Sequence, residues 1–463
     1  MTAYDVVVVG GGNAALVAAM SARHVVESVL LVERAPTWLR GGNSRHTRDI
    51  RYAHPPGEAY TTGEAYPVDE LMDDLLRVGG GHNERMAQLV VEGSCGVAEF
   101  MTAHGVRWQE PLTGTLHLSR TNRFFLGGGK ALINTYYQTA EAMGIDVQYE
   151  TSVEEIVLDG ANQVNGVVIE RAGAREEIAA RAVVVASGGF EANLDWLRRY
   201  WGDAVDNYVI RGTPYNDGRV LANLLDKGAA TAGDPKGFHA VALDARSPKF
   251  DGGIATRLDS VPFGIAVNKF GKRFYDEGEE FWPKRYAIWG RWIAEQSDQI
   301  AYSFVDSQTI DCFLTSLYRP YEGQTIGEVA EMMGLDPRVV TETVREFNAA
   351  IVPGGTFNPG ILDNCRTEGL TPPKSHWAVP LRDPPFYGYP LRPGITFTYL
   401  GLAVDECCRV QMSSGETVGN LFAAGEIMSG NVLRSGYLAG FGLTIGTVFG
   451  QIAGTQAGRY ARG

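Results

Sequence analysis

The chain has 463 residues, 44% of them hydrophobic and 21% charged, which indicates a globular protein long enough for two domains. Its formal net charge of -13 argues against a nucleic-acid-binding surface. The five cysteines show no C-x-x-C spacing, so they give no sign of a disulfide framework, an iron–sulfur cluster or a haem attachment. We therefore expect a reducing, cytoplasmic setting.

The N-terminal segment predicts a dinucleotide-binding fold. The apolar run Val6 to Val9 predicts a buried strand, and Gly10-x-Gly12-x-x-Ala15 follows it at the start of a helical pattern. Gly10 permits a tight turn, Gly12 lets the backbone approach a pyrophosphate, and Ala15 lets the helix lie close to the strand. The next strand ends at Glu33, whose carboxylate would accept hydrogen bonds from ribose hydroxyls. Together these features indicate a nucleotide cofactor.

Later segments predict further parts of the same domain. The loop Gly41 to Arg45 contains adjacent glycines and small polar residues, which would present backbone N–H groups to a phosphate or to the edge of a cofactor. Val153 to Leu158 and Gln163 to Arg171 predict an antiparallel ribbon. Ala182 to Ala186 predicts a buried strand that ends at glycines, and Asn420 to Glu426 repeats this pattern.

The composition changes between Pro235 and Pro393, where Trp, Tyr, Phe, Arg and Pro are frequent. Helical patterns cover Thr325 to Met333 and Pro337 to Ile351. We interpret residues 235–393 as an α+β capping domain inserted into a Rossmann-like domain made of residues 1–234 and 394–463. The predicted class is α/β, and the cleft between its domains is where a small molecule would bind.

The stretch Tyr437 to Gly454 is the one part of the sequence that resembles a membrane span. Its hydrophobic length is marginal for a bilayer, and its repeated glycines favour a buried helix that packs closely against its neighbours. We expect no membrane span here. The first strand has no basic segment ahead of it, so we also expect no signal peptide.

Four short motifs carry a family resemblance. They are Ala186-Ser187-Gly188-Gly189-Phe190, Tyr215-Asn216-Asp217-Gly218, Arg273-Phe274-Tyr275-Asp276-Glu277 and Ala423-Ala424-Gly425-Glu426. With the Gly-Gly-Asn-Ser loop, they resemble the fumarate reductase and succinate dehydrogenase flavoprotein superfamily. Three further segments, Gly394 to Tyr399, Gly430 to Leu433 and Gly436 to Gly440, resemble most closely its FAD-dependent tricarballylate dehydrogenase group.

The resemblance implies FAD as the cofactor of the Rossmann-like domain. His46 lies near the flavin loop, but its surroundings do not match the covalent attachment motif of succinate dehydrogenase, so we expect non-covalent FAD. The predicted cofactor-binding residues are Gly10, Gly12, Asn13, Ala14, Ala15, Glu33, Arg34, Gly41, Gly42, Asn43, Ser44, Arg45, Val153, Ala186, Ser187, Gly188, Asp217, Gly425, Glu426, Gly442, Leu443 and Thr444.

By the same resemblance, the substrate lies between the flavin and the cap, with its carboxylates held by His239 and Arg434. The planar fork of Arg434 suits a carboxylate, and its apolar, glycine-rich surroundings favour this role over a solvated surface charge. A purely structural role for His239 stays an equal alternative. The possible proton acceptors are His239, Arg273, Tyr399 and Tyr437.

Three departures from the reductase pattern favour oxidation of the substrate over reduction of fumarate. Fumarate reductases have a histidine in the segment that matches Gly394 to Gly401, and this chain has none. Their proton-donating arginine is missing after Ser303 to Asp306, and a second arginine is missing after Glu277. The resemblance therefore implies a dehydrogenase that forms a C=C bond next to a carboxylate, as from tricarballylate to cis-aconitate, with hydride passing to flavin N5.

Other functions stay open at this point. The settings of Tyr399 and Tyr437 also suit a desaturase of a cyclic ketone similar to ketosteroid Δ1-dehydrogenases, and a fumarate reductase-like enzyme is a further alternative. A flavoprotein that serves only as an electron-transfer or binding module is a third. The tricarballylate group implies a separate electron-acceptor protein, since the sequence contains no iron–sulfur or haem signature.

Overall fold

The computed structural model describes residues 3–80, 83–111, 118–279, 287–314 and 316–463. A largely parallel sheet with helices packed on it forms one domain, and a mixed sheet with its own helices forms the cap. The predicted α/β class, with a Rossmann-like domain, is confirmed.

The sheet of the Rossmann-like domain is centred on Ala3–Val9, whose valines are buried because both faces of the strand are covered. Val29–Val32 and Ala174–Val185 flank this strand in parallel. The parallel order continues outward to Asp146–Gln148 on one side and Thr417–Ala423 on the other. The carboxyl ends of these strands therefore meet at one edge, where ligands bind in such folds.

Antiparallel strands extend this sheet. The predicted ribbon is present as Thr151–Leu158 and Val164–Arg171, which joins Ala174–Val185. Arg409–Gln411 pairs with the outermost parallel strand. The ribbon carries Val153 to the edge where the parallel strands end.

Two helices that are far apart in the sequence pack closely against each other on this sheet. Asn13–Arg23 is buried on nearly all sides, and Phe441–Arg462 lies along it. A Cβ at Gly450 would stand 2.8 Å from the carbonyl oxygen of Ala14, and one at Gly454 would overlap the backbone of Ala18. The glycines therefore permit this contact. No helix within the described ranges is long and apolar enough to cross a bilayer.

The cap is organised around the long strand Phe386–Thr398. Phe238–Asp244 and Ala301–Asp306 pair with it in antiparallel fashion, while Val209–Arg211 pairs with it in parallel. The cap sheet thus includes a strand that precedes the predicted boundary at residue 235, and its central strand continues past the boundary at 393. This continuation brings Thr396 to the junction between the domains.

The predicted helices of the cap have clear local causes. Thr325 and Glu328 form a capping box at the start of Ile326–Met332, and Asp336 caps Pro337–Ala350. Within the described ranges, the other α-helices are Val68–Asp74, Glu84–Ser94, Val97–Ala103, Gly128–Ala142, Leu194–Trp201, Arg219–Asp226 and Ile288–Ala294. The remaining strands in the part of the chain that the structure describes are Asp49–Arg51, Asn122–Phe124, Thr231–Ala232, Phe250–Asp251, Ile265–Asn268, Tyr321–Gly323 and Gly401–Leu402.

Candidate active site

A large cavity lies between the two domains at the edge where the parallel strands end. Its volume is about 1560 Å³ when the mouth that opens to solvent is included. Its nucleotide end is lined by the glycine-rich turn and Glu33, and its cap end by residues of the cap strands.

The glycine-rich turn at the nucleotide end leaves space that a side chain would fill. A Cβ at Gly12 would meet no protein atom closer than Ser44 Oγ, at 3.5 Å, so this space belongs to the cavity. Gly12 is also the N-cap of Asn13–Arg23 and carries no capping side chain. The positive end of the helix therefore faces a cradle that fits a phosphate.

Glu33 lines the cavity next to this turn. Its carboxylate accepts hydrogen bonds from the N–H of Ala35 at 2.8 Å, from the N–H of Gly41 at 3.3 Å and from the hydroxyl of Tyr137 at 3.3 Å. Burial raises the pKa of Glu33, and these hydrogen bonds oppose that rise. A role as acceptor for ribose hydroxyls stays a prediction.

The loop after Glu33 is held from two sides. Ser44 Oγ accepts a hydrogen bond of 3.1 Å from the N–H of Asn13, which ties the loop to the first helix. The amide of Asn43 donates to the carbonyl of Thr396 at 2.7 Å, and its oxygen accepts from the N–H of Thr213 at 2.8 Å. The loop is therefore fixed to both domains where it lines the cavity.

A second helix end faces the cavity. Phe441–Arg462 begins there without a capping side chain, and its residues Gly442 and Leu443 line the wall. The N–H of Gly442 donates to the hydroxyl of Tyr437 at 2.9 Å. Two positive helix ends thus point into one cavity, which favours a ligand with negative charge at separate places.

Most residues predicted to bind the cofactor line this cavity. These are Gly10, Gly12, Asn13, Ala14, Glu33, Arg34, Gly42, Asn43, Ser44, Val153, Ala186, Ser187, Gly188, Asp217, Gly425, Glu426, Gly442 and Leu443. Arg34 and Asp217 also form an ion pair of 2.6 Å. The cradle, the two helix ends and these residues fit FAD.

Four predicted cofactor-binding residues are absent from the cavity lining as described. Ala15 is buried within its helix, and Gly41 uses its N–H on Glu33. Arg45 donates to the carbonyl of Trp38 at 3.1 Å, and the hydroxyl of Thr444 donates to the carbonyl of Arg51. These residues support the lining without forming it.

The cap end of the cavity contains an aromatic stack. The rings of His239 and Tyr437 lie nearly parallel, 3.9 Å apart between centroids and tilted by 7°. Burial lowers the pKa of His239 well below its ordinary value, and the charges of Arg211 and Arg257 lower it further. His239 is therefore neutral at neutral pH. It lines the cavity, as does Tyr437, which the sequence offered as a possible proton acceptor. Contact of His239 with a substrate stays a prediction.

Two nearly buried arginines that line the cavity were not anticipated from the sequence. Arg211 ends a cap strand, is 9% exposed, and donates to the carbonyl of Gly253 and to Thr396 Oγ1, both at 3.0 Å. Arg257 has an 8% exposed side chain and forms an ion pair of 2.5 Å with Asp259. An arginine within a short apolar strand, as in Val-Ile-Arg, is the signal that could have indicated Arg211.

His46 also lines the cavity at its cap end. Burial is the main cause that lowers its pKa to about 4, and the neighbouring charges of Arg45 and Arg211 act in the same direction. A Cβ at Gly252 would stand 2.8 Å from His46 Nδ1, so the cap contacts this ring closely. Non-covalent binding of FAD, without attachment to His46, stays a prediction.

Three predicted catalytic residues are not brought to the described cavity wall. Arg434 is exposed. Arg273 pairs with Glu277 within the cap and donates to the carbonyls of Pro372 and Pro373 at 2.7 and 3.0 Å. Tyr399 is buried, and its hydroxyl donates to the carbonyl of Gly436 at 2.8 Å. The segment after Glu277 that lacks the reductase arginine continues into 280–286, outside the described residues.

The chain matches a family described as "FAD binding domain" over residues 5–443. It is 28% identical to the NADH:fumarate oxidoreductase of Klebsiella pneumoniae (strain 342), over 99% of this chain and 48% of that protein. It is 24% identical to the 4-oxocyclohexanecarboxylate 2-dehydrogenase of Sinomonas cyclohexanicum, over 99% of this chain and 93% of that one. The chain thus spans about half the length of the first of these relatives.

Solved structures share the fold over almost the whole chain. An open flavocytochrome c3 fumarate reductase superposes with a TM-score of 0.76 at 22% identity, covering 99% of this chain and 79% of that one. The 3-ketosteroid-Δ4-(5α)-dehydrogenase of Rhodococcus jostii RHA1 gives 0.77 at 22% identity, covering 99% and 97%. At these identities the likeness shows the fold alone.

Proposed function

Because the chain belongs to the FAD binding domain family, we propose that it is an FAD-dependent dehydrogenase acting on CH–CH groups, which forms a C=C bond next to a carboxylate. When bound, FAD supplies the acceptor for the hydride at its N5 atom. The relatives support the predicted fumarate reductase and succinate dehydrogenase flavoprotein superfamily. The conversion of tricarballylate to cis-aconitate stays the finer part of the proposal.

The observation that carries this proposal is the concentration of positive charge at the cap end of the cavity. Arg211 and Arg257 are nearly buried there, and Arg48 lines the same cavity, although the chain as a whole carries a net charge of -13. Buried positive charge is stabilised by negative partners. Asp259 is one such partner of Arg257, and a substrate carboxylate would add another.

The residues at the cap end suit proton removal from a carbon next to a carboxylate. The guanidinium groups of Arg211 and Arg257 would bind the carboxylate and stabilise the negative charge that develops on it. Neutral His239 would accept the proton from the α-carbon, and its stack on Tyr437 would fix the plane of its ring. A bound anion would also raise the pKa of His239 and so improve it as a base.

The number of cations supports a substrate with more than one carboxylate. Arg211 and Arg257 belong to different cap segments, and both influence the charge of His239. Two carboxylates on neighbouring carbons could each meet one guanidinium, while Arg434 stays the predicted ligand of a further carboxylate. This arrangement favours a tricarboxylate such as tricarballylate over a monocarboxylate.

A cyclic ketone is the second candidate substrate. Phe397 and Tyr437 line the cavity beside His239, with 5.8 Å between the centroids of the two aromatic rings. An apolar ring would pack against this wall. The Sinomonas relative is named for a substrate that is both a cyclic ketone and a carboxylate, so the two candidates need direct comparison.

We further propose that a separate electron-accepting protein reoxidises the flavin and that the protein works in a reducing cytoplasm. The cysteine pattern and the absence of an iron–sulfur or haem signature in the sequence support this.

Anaerobic bleaching of the flavin tests the proposal. The FAD-loaded protein is mixed with tricarballylate, succinate, a 4-oxocyclohexanecarboxylate and a 3-ketosteroid, and the loss of the oxidised flavin absorbance is followed. We expect bleaching by tricarballylate. Bleaching by a ketone alone would contradict the carboxylate proposal, and reoxidation of the reduced protein by fumarate alone would indicate a reductase.

A further inference from the structure

Two acidic side chains meet at the wall of the cavity, and the proposed reaction uses neither. We propose that Glu191 and Glu426 share one proton, and that the pair positions the flavin-contacting loop, residues 41–45, against the cap strand. The proposal depends on the FAD site but not on the identity of the substrate.

Glu191 supplies one carboxyl of the pair. It follows Ala186–Phe190 directly and is completely buried. Its Oε1 atom accepts hydrogen bonds from the side-chain amides of Asn43 at 2.6 Å and Asn216 at 2.8 Å. Its Oε2 atom is buried as well, and no N–H or O–H within the described ranges donates to it. A buried carboxylate oxygen without a donor is unfavourable, so this atom needs a proton.

Glu426 supplies the other carboxyl. It follows the strand Thr417–Ala423 and lines the cavity. Its Oε1 atom accepts from the N–H of Thr398 at 2.9 Å and from the hydroxyl of the same residue at 3.4 Å. A Cβ at Gly189 would overlap the same oxygen, so a glycine is needed beside the pair.

The carboxyl groups of Glu191 and Glu426 are in hydrogen-bonding contact with each other. Two ionised carboxylates in such contact would repel each other strongly, because little water is present to screen them. Burial raises the pKa of Glu191 to about 7, and burial together with the charge of Glu191 raises the pKa of Glu426 well above its ordinary value. One proton therefore stays between them at neutral pH and provides the donor that Glu191 Oε2 requires.

The partners of the pair connect three parts of the site. Through Asn43 it holds the flavin-contacting loop, through Thr398 it holds the central cap strand, and through Asn216 it holds a cavity-lining turn. Loss of the shared proton would leave two negative charges in contact and push these parts away from one another. The pair is thus suited to hold these three parts of the cofactor pocket together only while it keeps its proton.

Glu191→Gln and Glu191→Ala, with the exposed Glu176→Gln as control, separate this role from a general effect on folding. The glutamine can accept from both asparagines and donate to Glu426, so it imitates the protonated pair. The alanine leaves those amides without their acceptor. FAD affinity is measured by flavin fluorescence from about pH 6 to about pH 9, around the pKa of the pair, and circular dichroism checks the fold.

We expect the unmodified protein and Glu176→Gln to lose FAD affinity as pH rises, by about tenfold or more across this range. Glu191→Gln should keep the affinity seen at low pH throughout, and Glu191→Ala should bind about tenfold more weakly at every pH. The infrared carbonyl band of a protonated carboxyl should disappear in Glu191→Gln. The proposal is overturned if Glu191→Gln keeps the original pH dependence or if this band is unchanged. Neither measurement needs a substrate, so failure here is distinct from failure of the proposed reaction.

Discussion

The two ends of the cavity are built from different materials. The nucleotide end consists mainly of backbone, with a glycine turn, a helix end and one acidic side chain, and its members Gly10 to Glu33 are close together in sequence. The cap end consists of large side chains, His46, Arg211, His239 and Arg257, which come from separate strands and loops. The first end recognises shape and phosphate charge, whereas the second depends on the mutual placement of buried charged and aromatic groups.

This difference predicts how each end responds to change. A side chain added to the backbone cradle should block cofactor binding and leave the fold intact. At the cap end, removal of a buried positive charge should lower the affinity for substrate and leave cofactor binding intact.

The largest expected effect is at the nucleotide end. Gly12→Val should weaken FAD binding by about 100-fold or more, because the added methyl groups occupy the cradle. The backbone of Gly12 has a φ of −80°, which valine adopts, so the variant should fold. Flavin content per protein and circular dichroism measure the two properties. Normal flavin content in Gly12→Val would show that phosphates do not bind here.

At the cap end, Arg257→Met should keep FAD and lower kcat/KM for a carboxylate substrate by about 100-fold, through loss of charge stabilisation in the transition state. Since this variant leaves Asp259 buried without its ion pair, Arg257→Met with Asp259→Asn is the matched control for stability. Steady-state kinetics with an artificial electron acceptor provide the measurement. Equal kinetics in all three proteins would remove Arg257 from the substrate site.

Arg434 offers a sharper comparison between sequence and structure. Its side chain is exposed, so we expect Arg434→Ala to lower kcat/KM by about tenfold or less, the range of a solvent-screened contact. The same kinetic assay decides the matter. A loss as large as that of Arg257→Met would show that the bound substrate draws Arg434 into the cavity.

The smallest expected effect concerns pH. The pKa of His46 lies near 4 in the folded protein and near 6.5 when unfolded, so the unfolded state binds more protons between these values. Stability contributed by neutral His46 is complete above pH 6.5 and is lost as pH falls towards 4. His46→Gln should therefore flatten the fall of Tm over this range by about 2 °C, measured by thermal denaturation. If Tm falls with decreasing pH in this variant just as in the unmodified protein, His46 is not desolvated.

The nucleotide end was predictable because the residues that form it are close together in the sequence. The turn Gly10 to Ala15 and the acid Glu33 follow from strand and helix patterns that need no knowledge of the rest of the chain. The predicted sheet, ribbon and C-terminal helix are present for the same reason: local hydrophobic periodicity determines them.

The cap end was less predictable because its geometry depends on long-range pairing. Arg211 reaches the cavity only because Val209–Arg211 joins the cap sheet beside Phe386–Thr398. No local sequence pattern indicates this parallel pairing. Arg257 lies opposite Leu243 through an isolated bridge, which is equally invisible in sequence. Conversely, Arg273 stood in a recognised motif, yet its guanidinium stabilises the interior of the cap through Glu277.

The close packing of Asn13–Arg23 on Phe441–Arg462 has a consequence for how the molecule reaches its native state. Asn13 hydrogen-bonds to Thr447, 434 residues further along the chain, and Gly450 and Gly454 fit directly against the first helix. During synthesis, the first helix therefore stays uncovered until residues 441–462 have left the ribosome. Such distant contacts slow folding and leave apolar surface open to aggregation in the meantime, so the early segment is a natural point for chaperone protection.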